Sequence, residues 1–528
     1  MVMRLFNYVN FRSTVCFIFF LIIGTTISFY PTLFSSFRSV QAGLGDDRFN
    51  NYLLEHTYLW LKSAPLHNTL WDLPVYYPVK NTFAYSDILM GSAPIYWIFR
   101  TLFKFDTSYQ LWLISVATLN YVTMYVFLSK CLKYSTFASC MGAFIFSYSL
   151  PRTIHISHAQ LISQYYVIIS LIGLYNLFQK RKKLQWIWLL LFVAGIILQI
   201  ITGWYLAFFW CFSLFISFLI LFFYPKIFRS VLSHFIRNIF YYFFFTIISC
   251  IVLFPIFSHY YQASKTIGYF SFNDIFSFLP HLASWLYTGP YSFAYSDISK
   301  SFSLFKFDNP KELVLNTGYV TTFLFLYSAV KKRDEAFHKL LILTFIILVI
   351  VTLIIPFTHF SFWAVLSKYL PLIRSIRAVS RIILILLIPI SIWIADFFQN
   401  IKSKKIIILL TLVIILEQIQ ILPFYDKYDN RKQIQTIVSK IPEDCLIFYY
   451  LSSDPNQIYK SQIDGMWAGM VANKYTINGY ASKNPPHYGI LANNVAKGAE
   501  QNAILMGKFN QWNAQHSLLS DSTCVVYL

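Results

Sequence analysis

The sequence predicts an all-α polytopic membrane bundle of about eleven transmembrane helices, with interfacial helices in its first outer loop and a small C-terminal α/β domain outside the membrane. Three observations carry that prediction. The 528 residues are 57% hydrophobic and 20% aromatic, with a mean hydropathy of +0.55, more apolar surface than a soluble fold can bury. The apolar residues come in runs of about 20, the length of helix that crosses a hydrocarbon core of roughly 30 Å. The runs are continuous rather than alternating, which selects helices over a β-barrel.

The apolar segments cover residues 14–34, 108–129, 135–151, 159–178, 184–202, 204–223, 238–257, 313–330, 339–356, 379–398 and 405–423. A shorter stretch, 88–103, contains Pro94 and runs into Lys104 and Asp106, so it reads as an interfacial or re-entrant helix. The first segment is too long for the apolar core of a signal peptide, although Val40-Gln41-Ala42 resembles a cleavage site; an uncleaved first span is expected.

Charge placement orients the chain. The net charge is +20, with a pI near 9.4. In a soluble protein that would suggest a nucleic-acid partner. Here the cations sit in short clusters between apolar runs, and no nucleic-acid partner is expected. With Arg4 and Arg12 cytoplasmic, Lys130 and Lys133, Lys180-Arg181-Lys182-Lys183, Lys226 with Arg229 and Arg237, Lys331-Lys332-Arg333, and Lys402 with Lys404 and Lys405 all fall on the same side. That is the positive-inside pattern. Counting 88–103 as a full span would invert everything after it.

The opposite face then receives residues 35–107, the turn around His155 and His158, residues 258–312 and 357–378, and the chain beyond about 424. Residues 1–423 form the transmembrane domain and 424–528 a C-terminal domain, in which β-like runs at 445–450 and 524–528 flank a more polar middle. Of the 7 cysteines, Cys445 and Cys524 alone fall in this domain. They are a candidate disulfide if the compartment is oxidising, or two buried thiols. The sequence Phe83-Ala84-Tyr85-Ser86-Asp87-Ile88 recurs at 293–298 with unrelated flanks, which reads as coincidence.

Acidic groups beside a membrane boundary invite a chemical explanation in a chain only 12% charged. Asp46 and Asp47 lie in Gly45-Asp46-Asp47-Arg48, where the next residues have helical spacing. Asp47, Asn51 and Glu55 form one polar stripe, and Phe49, Tyr52, Leu53 and Trp60 an apolar side. An amphipathic helix along the membrane surface is expected. Either aspartate could serve as a general base toward a hydroxyl, or as an N-cap or dipole partner.

Arg374, Arg377 and Arg381 enter a span from the outer side, against the inside bias. They suit a lipid phosphate, the alternative being snorkelling to headgroups. His155 and His158 are candidates for substrate contact or for interfacial anchoring, and with no third ligand they define no metal site. Asp87 reads as a second carboxylate or a helix cap, and Glu312 as a ligand-binding acid or a solvated cap. No phosphate-binding glycine loop, dinucleotide fingerprint or nucleophile elbow is present.

In Gly45-Asp46-Asp47-Arg48 with Asn51, Tyr77-Pro78 through Ser86-Asp87, His155 to Gln160, Arg377-Ala378-Val379-Ser380-Arg381, and Gln462 to Gly469 with Asn478-Gly479-Tyr480, the chain resembles the GT-C superfamily of polyprenyl-phosphate-sugar-dependent membrane glycosyltransferases, in particular its bacterial multi-span members. The resemblance implies a GT-C-like bundle with a catalytic aspartate in the first outer loop. It also implies inverting transfer of a hexosyl or pentosyl group from a polyprenyl-phosphate donor to a lipid, glycan or protein acceptor. The site would be on the outer face of a bacterial inner membrane, with the N-terminus cytoplasmic and the C-terminus periplasmic.

Some members need a divalent metal, so the cofactor stays open. Asp46 and Asp47 are the catalytic candidates; Arg48, Asn51, Glu55, Asp87, His155, His158, Glu312, Arg374, Arg377 and Arg381 are the substrate-binding ones. A transporter or flippase of lipid-linked glycans is the rival, and it would place ionisable groups near mid-span. Here Asp396 and Glu417 lie near the ends of theirs. A non-catalytic scaffold of the same fold is the third reading.

Overall fold

The computed structural model describes residues 11–179, 185–356, 358, 360–454, 458–493, 495, 498–519 and 522–528. Arg4 and the cluster Lys180-Arg181-Lys182-Lys183 lie outside the described residues.

The protein is mostly helical. In chain order the elements begin with α1 (Phe11–Phe34), β1 (Ser39–Gln41), α2 (Asp46–Leu61), α3 (Ala93–Arg100), α4 (Phe105–Val126), α5 (Thr136–Tyr148) and α6 (Leu150–Thr153). They continue with α7 (Tyr165–Leu177), α8 (Gln185–Ile200), α9 (Trp204–Leu221), α10 (Pro225–Arg237), α11 (Ile239–Ile267), α12 (Phe272–Phe276) and α13 (Ser296–Ser301). Next come α14 (Tyr319–Lys331), α15 (Ala336–Thr352), α16 (Phe362–Tyr369), α17 (Ile383–Asn400) and α18 (Lys404–Glu417). The C-terminal part holds β2 (Phe424–Asp426), α19 (Lys427–Val438), β3 (Ile447–Leu451), α20 (Ile458–Ala472), β4 (Tyr475–Thr476), α21 (Ala499–Gln515) and β5 (Thr523–Tyr527).

A helix occupies each of the eleven apolar segments. Among the described residues five helical stretches are long and apolar enough to cross a membrane: Phe11–Phe34, Phe105–Cys131, Trp204–Leu221, Ile239–Ile267 and Val379–Asn400. Gln185–Ile200 and Ala336–Thr352 are apolar but shorter. The stretch around residue 95 forms only α3, whose 8 residues reach about 12 Å, too short to span.

Small residues set the helix packing, as expected where lipid gives no hydrophobic drive between helices. Helix α5 is buried from Ala138 to Tyr148 and packs against α1, α4 and α17. A Cβ on Gly142 would meet the Ser391 carbonyl of α17 at 2.6 Å. Gly173 and Gly195 bring α7 and α8 together in the same way. By contrast α11 turns most of its length outward, with Phe240 84% and Phe254 73% exposed.

Contacts bring several of the connecting segments together at two ends of the helices. At one end the first loop meets later segments through Asn81 and His259, Asp87 and Trp204, and the antiparallel pair β1–β2. At the other, the Ser135 amide donates to Gln399, Ser328 donates to Asp396, and Phe178 packs on His234.

The C-terminal part is a three-stranded parallel sheet in the order β4-β3-β5, covered by helices and joined across by the Cys445–Cys524 disulfide. It is latched to the first loop. Pro74 and Tyr77 exchange backbone hydrogen bonds with Thr476, and the Trp467 indole donates to the Arg48 carbonyl at 3.2 Å.

Candidate active site

Helix α2 starts at Asp46 with Gly45 as its cap residue and no side-chain cap bond. It does not lie on a surface. Residues 47–57 are all buried, because the polar stripe finds protein partners instead of headgroups. Glu55 pairs with Arg100 at 2.8 Å and accepts from Tyr96 at 2.6 Å. Arg48 pairs with Asp464 of α20 at 2.7 Å. Asn51 lies 3.5 Å from the Tyr96 hydroxyl. The structure therefore brings none of Arg48, Asn51 and Glu55 to the site; they fasten α2 to α3 and α20.

The two aspartates diverge. Asp47 is fully buried, accepting from the Gly43 amide at 3.0 Å and the Tyr109 hydroxyl at 3.3 Å. Burial, with Asp46 next door, pushes its carboxyl well above the ordinary range. Asp46 opens onto a cavity of about 540 Å³ that Asp87, His158, Arg377, Arg381, Tyr480 and Lys483 also line. That volume suits a substantial ligand.

Behind Asp46 runs a chain of alternating charge. His158 places Nδ1 3.0 Å from Asp46 Oδ2 and Nε2 2.9 Å from Glu312 Oε1. Arg381 donates to both Glu312 oxygens, Nε at 3.0 Å and Nη2 at 2.7 Å. His155 Nε2 stands 3.2 Å from Glu312 Oε2, its Nδ1 bonded to the Pro151 carbonyl.

The electrostatics follow from this order. Burial and the Arg381 charge disfavour a charged His158, but its two carboxylate neighbours hold its pKa up at about 9, so both ring nitrogens donate. Burial would raise Glu312; Arg381 and the two histidines hold it well below the usual range. Burial would also raise Asp46, yet His158, the Tyr480 hydroxyl and Arg381 keep it below its ordinary value. Asp46 is thus ionised at neutral pH while half-exposed to the cavity.

Tyr480 donates to Asp46 Oδ1 at 2.7 Å. It comes from the segment after β4, as does Lys483, whose Nζ bonds the Ile267 and Tyr269 carbonyls. Lys483 lies over the Phe270 ring at 5.0 Å, and Arg377 lies over the same ring at 5.2 Å and over Phe278 at 5.0 Å. Among the described residues neither cation has a carboxylate within salt-bridge distance.

Arg374 is exposed and outside the cavity lining. The three arginines do not share one helix: Arg374 sits in a 3-10 turn, Arg377 in an extended link, and Arg381 in the turn leading into α17. Asp87 accepts from the Trp204 amide at the start of α9 at 2.7 Å, and burial lifts its pKa to about 6.

The cavity wall is aromatic, with Trp204 and Tyr205 from α9 and Phe257, Tyr260 and Tyr261 from α11. Sequence reasoning missed Tyr480 and Lys483 as site residues, because both arrive from the far end of the chain. Glu417 and Asp396, the acids that a transport reading would need, are structurally engaged. Glu417 caps the start of α14 through the Val320 and Thr321 amides, and Asp396 accepts from Ser328 at 2.9 Å.

Among the described residues no three His, Cys, Asp or Glu side chains converge as a metal cage. Asp46 and Glu312 share His158, and Arg381 holds Glu312 on both oxygens, so protein cations already balance these carboxylates. The donor set does not fit a divalent ion between them.

No family model and no curated protein matches the chain. Among solved structures it is similar to the Archaeoglobus fulgidus oligosaccharyltransferase in its apo form, at 13% identity and a TM-score of 0.48 over 91% of this chain. The chain spans 66% of that protein's length.

Proposed function

We propose that the chain is a polytopic membrane glycosyltransferase with eleven spans, its N-terminus cytoplasmic and its cavity end facing the periplasm of a bacterial inner membrane. It moves a sugar from a polyprenyl-phosphate donor to a hydroxyl of a lipid, glycan or protein. The supporting observation is the cavity itself: an ionised carboxylate, two cations with no carboxylate partner among the described residues, and an aromatic wall share one space. A polyprenyl-phosphate sugar has matching needs. Its phosphate requires cations, its isoprenoid tail an apolar wall, and the incoming hydroxyl a base.

Residue roles follow. Arg377 and Lys483 hold the phosphate; Arg381 is occupied by Glu312 and acts by fixing the charge chain behind Asp46. The acceptor hydroxyl takes the place of the Tyr480 phenol at Asp46. As its oxygen bonds the anomeric carbon, its proton passes to Asp46. The anomeric carbon–oxygen bond to phosphate breaks with its electron pair, leaving polyprenyl phosphate, and the single displacement inverts the anomeric centre. In this reading residues 1–423 form the membrane domain, and 424–528 an outer domain that completes the site with Tyr480 and Lys483.

The test is a glycan and lipid profile of a deletion strain complemented with wild type or with Asp46→Asn. A product that is lost on deletion, restored by wild type and not restored by the variant supports the reading. An unchanged profile on deletion, or full restoration by Asp46→Asn at equal expression, overturns it.

A further inference from the structure

Helix α10 (Pro225–Arg237) lies at the end opposite the cavity and joins α9 to α11. None of its 13 residues is buried. At 100° per residue, Ile227, Phe228, Val231, Leu232, Phe235 and Ile236 fill one half of its circumference. Lys226, Arg229, Ser230, Ser233, His234 and Arg237 fill the other half.

The helix contains no acid, and among the described residues Lys226, Arg229 and Arg237 have no carboxylate partner. All three are exposed. The bundle takes only part of the apolar half: Phe228 packs on Phe222 and Phe218, and Phe235 on Tyr242. Leu232 and Ile236 stay open, at 44% and 60% exposed.

A water-exposed loop would not keep this division. A span would not carry three unpaired cations. The segments that flank α10 on either side are themselves apolar and open, with Phe223 after α9 83% and Phe240 at the start of α11 84% exposed. The apolar half of α10 therefore continues the lipid-facing surface, and its polar half lies at headgroup height.

We propose that α10 is an in-plane helix that binds anionic phospholipid headgroups of the leaflet at the end opposite the cavity. Ile227, Leu232 and Ile236 enter the acyl boundary, and Lys226, Arg229 and Arg237 hold the phosphates. Zwitterionic lipid offers the same apolar depth without net charge, so the cations select the anionic lipid. A soluble acidic partner would use the cations but leave the apolar half in water. The inference is independent of the glycosyltransferase reading, since it concerns the other end of the molecule and needs no substrate.

The full-length protein is reconstituted in nanodiscs of pure phosphatidylcholine, and in discs with one third phosphatidylglycerol. Amide exchange over residues 225–237 is followed by mass spectrometry, and the lipid retained after mild detergent extraction is measured. Slower exchange with phosphatidylglycerol, and its preferential retention by about five-fold per cation, are expected. The combined variant Lys226→Gln, Arg229→Gln and Arg237→Gln should lose the preference while keeping exchange elsewhere unchanged. Equal exchange of the wild-type helix in both discs overturns the proposal, and so does unaltered retention by the variant. If the variant fails to fold, the wild-type comparison still decides.

Discussion

Tyr480 donates its phenolic hydrogen to Asp46 at 2.7 Å, joining residues 434 positions apart in sequence. The bond ties the C-terminal part to the start of α2 and places a hydroxyl where the proposed acceptor hydroxyl must arrive.

Tyr480 is one of the groups that hold Asp46 below its ordinary pKa. Tyr480→Phe should therefore raise the Asp46 pKa, because the ionised carboxylate loses a donor. The acidic limb of the kcat/KM–pH profile, which reports the free enzyme with Tyr480 still on Asp46, should move upward, with little loss above it. A profile that falls uniformly at all pH values would show that Tyr480 serves only the fold.

Glu312 is almost fully enclosed between Arg381, His155 and His158. Glu312→Gln would leave a buried guanidinium without its counter-ion, a loss of about 3–5 kcal/mol. Thermal unfolding in detergent should show a clearly lower midpoint, and adding Arg381→Met should restore part of it. An unchanged midpoint for the single variant would contradict the pairing.

His56 and His67 meet through their Nδ1 atoms at 2.7 Å, and His56 Nε2 bonds the Leu70 carbonyl. Burial lowers His56 to about 4; burial and the neighbouring His56 lower His67 to about 3. Unfolded imidazoles take up protons below about pH 6.5 that the folded pair refuses until much lower pH. Stability of the first loop is therefore full above pH 6.5 and declines as pH falls toward 4. Amide exchange over residues 56–70, corrected for its intrinsic pH dependence, should rise between pH 7.5 and pH 5. Constant protection would refute the neutral pair.

The Cys445–Cys524 bond joins positions 79 apart in sequence and closes most of the C-terminal part into one loop. Cys445→Ser with Cys524→Ser should destabilise that part by about 2–5 kcal/mol. The expected sign is proteolytic cleavage after residue 424 with the helical bundle intact. Equal protease resistance would contradict it.

Much of the architecture was legible because continuous apolar runs and basic clusters are local signals. Each of the eleven segments holds a helix, and five of the helical stretches are long and apolar enough to cross a membrane. Asp46, Asp87, His158, Arg377 and Arg381 stood out as charges beside apolar runs, and all five line the cavity. The helical spacing of Asp47, Asn51 and Glu55 gave the stripe correctly but not what it faces. Its partners Tyr96, Arg100 and Tyr109 come from α3 and α4, and Asp464, which pairs with the neighbouring Arg48, from α20, so a stripe that reads as solvated is buried. The choice between adjacent aspartates depends on which way α2 is rotated, which those same distant partners fix. Lys483 carried no local signal and Tyr480 stood only as the end of the Asn478-Gly479-Tyr480 piece of the resemblance, with no role attached; the latching of β4 to the first loop brings both to the cavity.

The most direct measurement compares Asp46→Asn with Asp47→Asn in sugar transfer from a radiolabelled polyprenyl-phosphate hexose, with donor binding measured on the same preparations. The account predicts that Asp46→Asn loses transfer by at least about a hundred-fold while binding the donor. Asp47→Asn, which replaces a fully buried carboxyl that faces the Gly43 amide and the Tyr109 hydroxyl rather than the cavity, should keep most of its activity. Substantial transfer by Asp46→Asn, or a loss confined to Asp47→Asn, would contradict it.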